Sequence, residues 1–447
     1  MARRKPKKKQ KVNLAKLSLT KSISLVQQLV QQSRIDDAEN VLQWLRTKHG
    51  DKLEILNALT IILVHKRRYE EAKQCIKLAI NKAPSNPDLH NNLGNIYKLD
   101  NDIQNAELAY KDALAFAPKH LDALNNLANI QRLKGEHDAA LKGFNQAISI
   151  NPHFEVAHFN KANVLSSMNE HAAAIESFDS AIGIKPDFYA AYNSLGLLHY
   201  KLGQLEQSAE VYRRLLRACP GHAVGEHMLA AVTNKDAPVK ASEKYIETVF
   251  DEFAESFDND LKSLHYRAPE LVAQTVADKY AENAGLQILD AGCGTGLCGP
   301  LLAAYKATLT GVDLSAKMIA KTKNRGYDSV IVAEITDYLT TQAGHYDLIV
   351  SADTFNYFGD LTDVFSNSFA ALKAGGRLVF TLEHDEDINS DQGFKLTHSG
   401  RYSHCRSYVD SQLSAAHFVA VEFTQGHLRI ESGTPVIGLI VTAEKPS

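Results

Sequence analysis

The segment Leu286 to Gly299 reads LQILDAGCGTGLCG and holds the residues best suited to bring a ligand against the main chain. An apolar strand ends at Asp290 and runs directly into a turn carrying Gly292, Gly294 and Gly296, with the next helix predicted to start near Leu297. Glycine is needed where a ligand approaches the backbone, because a side chain would block it. A second predicted strand, Thr308 to Val312, ends at Asp313, 23 residues after Asp290. A carboxylate there suits a ribose diol, whose two hydroxyls both donate to it. A dinucleotide site would use the same parts. Two details argue against it: Asp290 abuts the loop, and the glycine spacing departs from G-x-G-x-x-G.

These residues need a parallel sheet to hold them, and further strand patterns follow in order. Ser329 to Ala333 is a short strand leading into Glu334, Ile335 and Thr336, Tyr346 to Ser351 is a fourth, and Leu372 to Leu382 reads as a helix end, a glycine turn and a fifth strand. Phe418 to Phe423 and Pro435 to Ala443 supply an antiparallel closing pair. Together the Asp290 loop and Asp313-Leu314-Ser315 resemble the class I S-adenosylmethionine-dependent methyltransferases, over roughly residues 245 to 447. The resemblance implies an α/β Rossmann-like domain with a seven-stranded, mostly parallel sheet and S-adenosyl-L-methionine as cofactor. It implies that Asp290 and the backbone at Gly292, Gly294 and Gly296 position the methionine moiety and that Asp313 holds the ribose. Leu314 and Met318 would pack beside the adenine, and Glu334 or the Ile335 backbone would meet its polar edge. Phe257 would stand in the aromatic leader that covers the cofactor; a core role for Met318 fits the sequence equally well.

Methyl transfer is an in-line displacement, so the protein mainly aligns a lone pair and, for some acceptors, removes a proton. Groups for that task are expected beyond the carboxyl ends of strands four and five. Asp353, Asn356 and Tyr357 lie after the fourth, and Glu383 and His384 after the fifth. The polar, aromatic run from Ser399 to His404 adds Arg401, Tyr402 and His404: a histidine is a base near neutral pH, and arginine suits a carboxylate substrate. His384 and His404 are the two candidate bases, with a structural role for each as the competing reading. His384, His398, His404 and Cys405 match no usual zinc-ligand spacing, so no metal is expected. No Asn/Asp-Pro-Pro-Tyr tetrad follows the fourth strand, which disfavours methylation of exocyclic amines of nucleic acids and of glutamine.

The first half is periodic. Pro84, Pro118, Pro152, Pro186 and Pro220 are spaced by 34 residues. In the same frame stand Ala72, Ala106, Ala140, Ala174 and Ser208; Ala79, Ala113, Ala147, Ala181 and Leu215; and Ile76, Tyr110, Phe144, Phe178 and Tyr212. Gly94, Ala128, Ala162 and Gly196 share another column. Small residues let paired helices approach while the larger ones fill the space between units. The columns resemble the tetratricopeptide repeat, with five units from about 53 to 222 and a degenerate cap from about 19 to 52. Asparagines recur along the first helices: Asn91, Asn92 and Asn95; Asn125, Asn126 and Asn129; Asn160 and Asn163; Asn193. Two readings stand. A ladder of amides on one face can clamp an extended peptide backbone, as some tetratricopeptide solenoids do, or it can bond one repeat to the next.

The 447 residues carry 49 basic and 52 acidic side chains, but the net charge of −3 is a cancellation. Seven of the basic residues lie in the first eleven positions, leaving 42 against 52, a charge of −10, on the other 436. The expected organisation is a basic, disordered tail (1–18), an all-α repeat solenoid (19–225), a linker (226–244) and the methyltransferase-like domain (245–447). Five dispersed cysteines fit a reducing, cytoplasmic setting, and no apolar run reaches spanning length. The tail is suited to an acidic partner, while the acidic body disfavours nucleic acid. The F-x-L-x-x-S-G-R-Y-x-H run from Phe394 and the L-R-x-E-x-G-x-P-V run from Leu428 resemble a bacterial family of tetratricopeptide-containing methyltransferases. That resemblance implies methyl transfer to an oxygen or nitrogen of a peptide or protein recruited on the repeats. The alternatives are a small-molecule acceptor with the repeats used for partners or assembly, and a non-catalytic scaffold, which the intact Asp290 loop and Asp313 argue against.

Overall fold

The computed structural model describes residues 18–447 apart from 33, 236, 389–391 and 432, so the basic segment up to residue 17 lies outside the described residues. The chain divides into two compact units, Met1–Ser194 and Leu195–Ser447.

The first unit is helical. The cap is α1 (Leu19–Gln31) with α2 (Ile35–His49), followed by α3 (Leu53–His65) and α4 (Tyr69–Lys82), α5 (Pro87–Leu99) and α6 (Ile103–Phe116), α7 (Leu121–Leu133) and α8 (His137–Ile150), and α9 (Glu155–Ser167) and α10 (His171–Ile184). Helix α11 (Tyr189–Lys201) crosses the unit boundary. Local chemistry sets the starts: at α5, Asn86 accepts from the Asp88 N–H at 3.0 Å and Pro87 takes the first turn, where its missing N–H costs nothing. The small-residue columns are fully buried at Ala72, Ala79, Ala106, Ala113, Ala140, Ala147, Ala174 and Ala181.

One pair of columns shows a finer match. A Cβ on Gly94 would lie 2.5 Å from the Tyr110 ring, and one on Gly196 would lie 2.6 Å from Tyr212. Where the same column holds alanine, at 128 and 162, the aromatic is a phenylalanine, Phe144 or Phe178. The tyrosine hydroxyl accounts for the difference in the first case: that of Tyr110 donates to Asn95 Oδ1 at 2.8 Å, drawing the ring against the facing helix.

The second unit begins inside the last repeat. Helices α12 (Leu205–Ala218), α13 (Ala223–Thr233), α14 (Glu243–Phe253), α15 (Phe257–Ser263) and α16 (Ala268–Lys279) precede the sheet. Then come β1 (Leu286–Ala291), α17 (Cys298–Leu302), β2 (Lys306–Asp313), α18 (Ala316–Ile319), β3 (Ser329–Val332), α19 (Ile335–Thr340), β4 (Tyr346–Ser351), α20 (Thr362–Ala371) and β5 (Leu372–His384). A short hairpin, β6 (Phe394–Leu396) and β7 (Tyr402–His404), is followed by α21 (Arg406–Ala415), β8 (Val419–Glu431) and β9 (Thr434–Glu444). Among the described residues the sheet has nine strands rather than seven. The expected seven run β3-β2-β1-β4-β5-β9-β8, parallel from β3 to β5 with β9 and β8 antiparallel, and β7 pairs with the last residues of β5 to add the hairpin.

The stretch expected to be a linker is not one. Helix α13 occupies its first part, burying His227, Met228 and Val232, and ends on Asn234 in the left-handed conformation. Residues 239–241 then run as a strap against the segment after β4: Ala241 N–H donates to Tyr357 O at 2.9 Å and Gly359 N–H to Val239 O at 2.9 Å. Pro238 and the polar run before it signal the end of a helix but carry no signal for the surface that receives the strap.

Replacing Gly94 with alanine is expected to lower stability by about 1–3 kcal/mol, with Tyr110→Phe restoring part of it. Gly183, whose Cβ would meet nothing within 4 Å, is expected to gain roughly 0.5–1 kcal/mol on the same change. Thermal melts of the three variants and the double mutant check both signs.

Candidate active site

The sheet puts β1, β2 and β4 side by side with their carboxyl ends together, and the glycine turn leaves from the end of β1. Gly292 has φ +82° and donates to Val312 O at 2.8 Å; a Cβ there would lie 2.1 Å from the Thr354 hydroxyl oxygen. Gly294, at φ +53°, donates its N–H to Asp313 Oδ2 at 2.9 Å, and Ser315 N–H donates to the other oxygen at 2.8 Å. A Cβ on Gly294 would meet only the edge of the Phe257 ring at 3.9 Å, so the space above this residue is kept clear. That space belongs to a cavity of about 160 Å³.

Of the residues that the sequence assigns to a cofactor, Phe257, Gly292, Gly294, Asp313, Leu314, Glu334 and Ile335 line the cavity. Asp290, Gly296 and Met318 are not on its wall. Met318 is fully buried and belongs to the core. Asp290 sits behind the turn at 1 % exposure, taking the Tyr327 hydroxyl on Oδ2 at 2.5 Å while Oδ1 has no protein partner. Burial pushes its carboxyl up to about 7, and burial also raises that of Asp313. Glu334 is occupied: it caps α19 through the Asp337 N–H at 2.9 Å, takes the Thr336 hydroxyl and pairs with Lys240 Nζ at 2.8 Å. Burial acts upward on its carboxyl, yet these donors hold it below the usual range. Its carboxylate is therefore already satisfied within the chain.

Asp353, Tyr357, Arg401 and Arg429 also line the cavity. Arg429 is 1 % exposed and meets three carboxylates, Asp353 at 2.8 Å, Glu431 at 2.7 Å, and Glu383. Arg401 shares Glu383 at 3.1 Å and Glu431 at 2.7 Å. Burial raises the Glu431 carboxyl, but Arg401 and Arg429 hold it at about 2. Burial prevails at Asp353, whose carboxyl stays above the ordinary range even though both guanidiniums pull it down. Asp353 has φ +62° and is fixed by its N–H to Thr381 Oγ1 at 2.8 Å and by the Asn356 amide on Oδ1.

The other candidates for substrate chemistry lie off the wall. His404 is fully buried on β7 with Nε2 3.1 Å from Gly359 O, and burial drags its imidazole down to about 4. His384 places Nδ1 3.2 Å from His404 O and Nε2 3.1 Å from Glu386. Tyr402 is buried and donates to Pro238 O. One cause covers all three: the added β7 strand seals the end of β5, so its own residues and their neighbours become core. The sequence reading missed Lys240 entirely, since it sits in a segment read as linker.

In the first unit the asparagines bond to one another. Asn126 Nδ2 donates to Asn91 Oδ1 at 3.0 Å and Asn95 Oδ1 at 3.2 Å, and Asn160 Nδ2 donates to Asn125 Oδ1 at 2.9 Å. Arg132 Nε reaches Asn129 Oδ1 at 3.5 Å. Asn92 is exposed, and Asn163 and Asn193 are partly exposed.

Residues 289–380 match a family model described as a methyltransferase domain, and residues 87–120, 121–154 and 159–223 match tetratricopeptide repeat models. Among curated relatives, a ubiquinone biosynthesis O-methyltransferase of Bordetella avium is 26% identical over 171 residues, 36% of this chain and 70% of that protein. A malonyl-[acyl-carrier protein] O-methyltransferase of Bacillus anthracis is 34% identical over 110 residues, 24% of this chain and 41% of that one. A ubiquinone biosynthesis O-methyltransferase of Coxiella burnetii is 32% identical over 101 residues, 22% of this chain. The chain spans less than half the length of the last two relatives. Among solved structures, MamA is 24% identical with TM-score 0.33, covering 36% of this chain and 94% of that one. Pseudomonas aeruginosa pilF is 15% identical with TM-score 0.39, covering 47% and 96%. This chain joins tetratricopeptide repeats to a class I methyltransferase domain.

Proposed function

We propose that this chain transfers a methyl group from S-adenosyl-L-methionine to an oxygen or nitrogen of a peptide or protein held by the repeats. The observation that carries the cofactor assignment is the clear space over Gly294, whose N–H is bound by Asp313 on the same cavity wall. The residues fit the group. Gly292 and Gly294 bring bare backbone to the cavity, a Cβ on Gly294 would project into its clear space, and the Asp313 carboxylate stands where a diol would donate. The cofactor, when bound, supplies an electrophilic methyl carbon on a sulfonium sulfur.

The rest falls to this chain's side chains. Asp353 is the carboxylate on the acceptor wall with a raised pKa, and it takes the proton that a hydroxyl or ammonium acceptor gives up. Arg401 and Arg429 already share three carboxylates, so they offer little to an anionic substrate. A carboxylate-bearing acceptor is therefore the weaker choice. Tetratricopeptide repeats support a protein acceptor. A small-molecule acceptor is the second reading, favoured by amides that bond across repeats and by relatives named as O-methyltransferases of ubiquinone biosynthesis and of malonyl-[acyl-carrier protein].

Titration calorimetry with S-adenosyl-L-methionine tests the first part. Gly294→Val, which fills the cradle, and Asp313→Ala are each expected to weaken binding about tenfold or more, and equal affinity in both variants overturns the assignment. Tritiated methyl donor incubated with a cell extract separates the acceptor readings: label in acid-precipitable polypeptide supports the first, and label confined to the small-molecule fraction supports the second.

A linkage prediction follows from Asp290. Its folded-state pKa, about 7, lies above the ordinary 3.8, so the folded protein holds the proton more tightly than the unfolded chain. Its stabilising share is complete below the ordinary value and is lost as pH rises towards 7, at up to about 1.4 kcal/mol per pH unit. Melting temperatures across that window should fall for the wild type relative to Asp290→Asn, in which no such proton exists. Parallel curves would refute the shift.

A further inference from the structure

Helix α13 follows the last repeat and contributes no residue to the cavity wall, yet it grips the turn that delivers Arg401 to it. His227, on α13 and 4 % exposed, places Nε2 2.8 Å from the carbonyl oxygen of Gly400. A carbonyl only accepts, so Nε2 carries the hydrogen and the ring is in the matching neutral tautomer. Burial favours that neutral form, pulling the imidazole below its ordinary value. The ring stacks on Tyr245, with centroids 3.9 Å apart. Gly400 in turn has φ +79°, and a Cβ on it would lie 2.2 Å from the Tyr245 hydroxyl oxygen and 3.2 Å from Met228 Sδ, so the turn is pressed directly onto α13 and α14.

The Gly400 carbonyl belongs to the peptide unit whose nitrogen is that of Arg401. That unit is planar, so fixing the oxygen fixes the direction in which the Arg401 backbone leaves the turn. The turn is tight, closed by Thr397 N–H to Arg401 O at 2.8 Å and Gly400 N–H to Thr397 O at 2.9 Å. Its other side is held by the last repeat: Tyr200 of α11 stacks on His398 at 4.1 Å and 10°. From this anchored start the Arg401 guanidinium reaches Glu383 and Glu431 beside Asp353.

We propose that His227 is a positioning residue for Arg401, and that α13, with Tyr200 from the last repeat, is thereby part of the acceptor side of the site. That Asp353, beside which Arg401 is held, serves methyl transfer rests on the function proposed above; the positioning itself does not. Helices continuing the repeat pattern thus set the geometry of a cavity side chain, and a change in their packing reaches Arg401 through one hydrogen bond and one stack.

The full-length protein labelled with ¹⁵N-arginine tests this by NMR, with the Arg401 side-chain signal assigned through its loss in Arg401→Lys. His227→Phe keeps a ring against Tyr245 and removes the hydrogen bond. The Arg401 signal is expected to shift or broaden in that variant and to return in His227→Gln, whose amide again donates to the carbonyl. An Arg401 signal unchanged in His227→Phe overturns the proposal. Should His227→Phe not fold, Tyr200→Leu, which unstacks His398, is read in the same way. Calorimetry with S-adenosyl-L-methionine on the same samples reports separately on the cofactor assignment, so failure of one inference is distinguishable from failure of the other.

Discussion

A guanidinium sealed from water has to be surrounded by carboxylates, because an unpaired buried charge costs several kcal/mol, and Arg429 imposes that condition on the second unit. Its partners come from separate elements: Asp353 from the segment after β4, Glu383 from the end of β5, and Glu431 from the end of β8. Arg401 adds the hairpin turn to the same knot. Meeting the charge requirement therefore registers the carboxyl ends of three strands and one hairpin against each other, on the side of the sheet where the cavity opens. A buried ion cluster is a weak source of net stability. It is a strong source of geometry, since each partner has few positions that satisfy the others.

The strap and α13 extend the same logic to the chain upstream. Backbone bonds tie Val239 and Ala241 to the segment after β4, and Lys240 crosses to Glu334 at the amino end of α19. Tyr402 donates to Pro238 O, binding the hairpin to the strap. The compact unit accordingly begins at Leu195, within the last repeat, rather than near residue 245. Sequence periodicity and structural compactness mark different boundaries here, because a repeat helix is defined by its pattern while a domain is defined by what its side chains pack against.

Much of this was legible beforehand, and the reasons differ by residue. The glycine turn, Asp313 and the order of β1 to β5 could be read because short local patterns dictate them: a positive φ needs glycine, and an apolar run ending in an acid marks a strand end. The repeat columns were legible because one steric problem recurs every 34 residues. His404, His384 and Tyr402 misled because their side-chain chemistry is visible in sequence whereas a nonlocal strand pairing, β7 on β5, decides that they are core. Met318, for which a core role and an adenine contact fit the sequence equally well, is fully buried. Arg429 and Glu431 stand two residues apart in the run from Leu428, a spacing that puts them on one face of a strand. That they close with Asp353 and Glu383 depends on sheet order. The asparagines show a third kind of failure: periodic amides announce hydrogen bonding, but not whether the partner is a ligand or the next repeat.

Burial around the cavity also has a common sign. Asp290, Asp313 and Asp353 end or follow β1, β2 and β4, and in each burial lifts the carboxyl above its ordinary value. Three aspartates held at the same edge of a sheet, each partly deprived of water, are an expensive way to build a core. An asparagine at 290 or 313 would relieve the desolvation, whereas Asp353 is already required by Arg429. The arrangement has a physical rationale if positive charge arrives from outside, because a cation near these carboxylates favours their ionised form and offsets the cost of burying them. The proposed cofactor brings two such charges, a sulfonium and an ammonium, and loses the first on transfer. On this account a cation held beside these carboxylates would draw them back towards the ionised form, opposing the effect of burial.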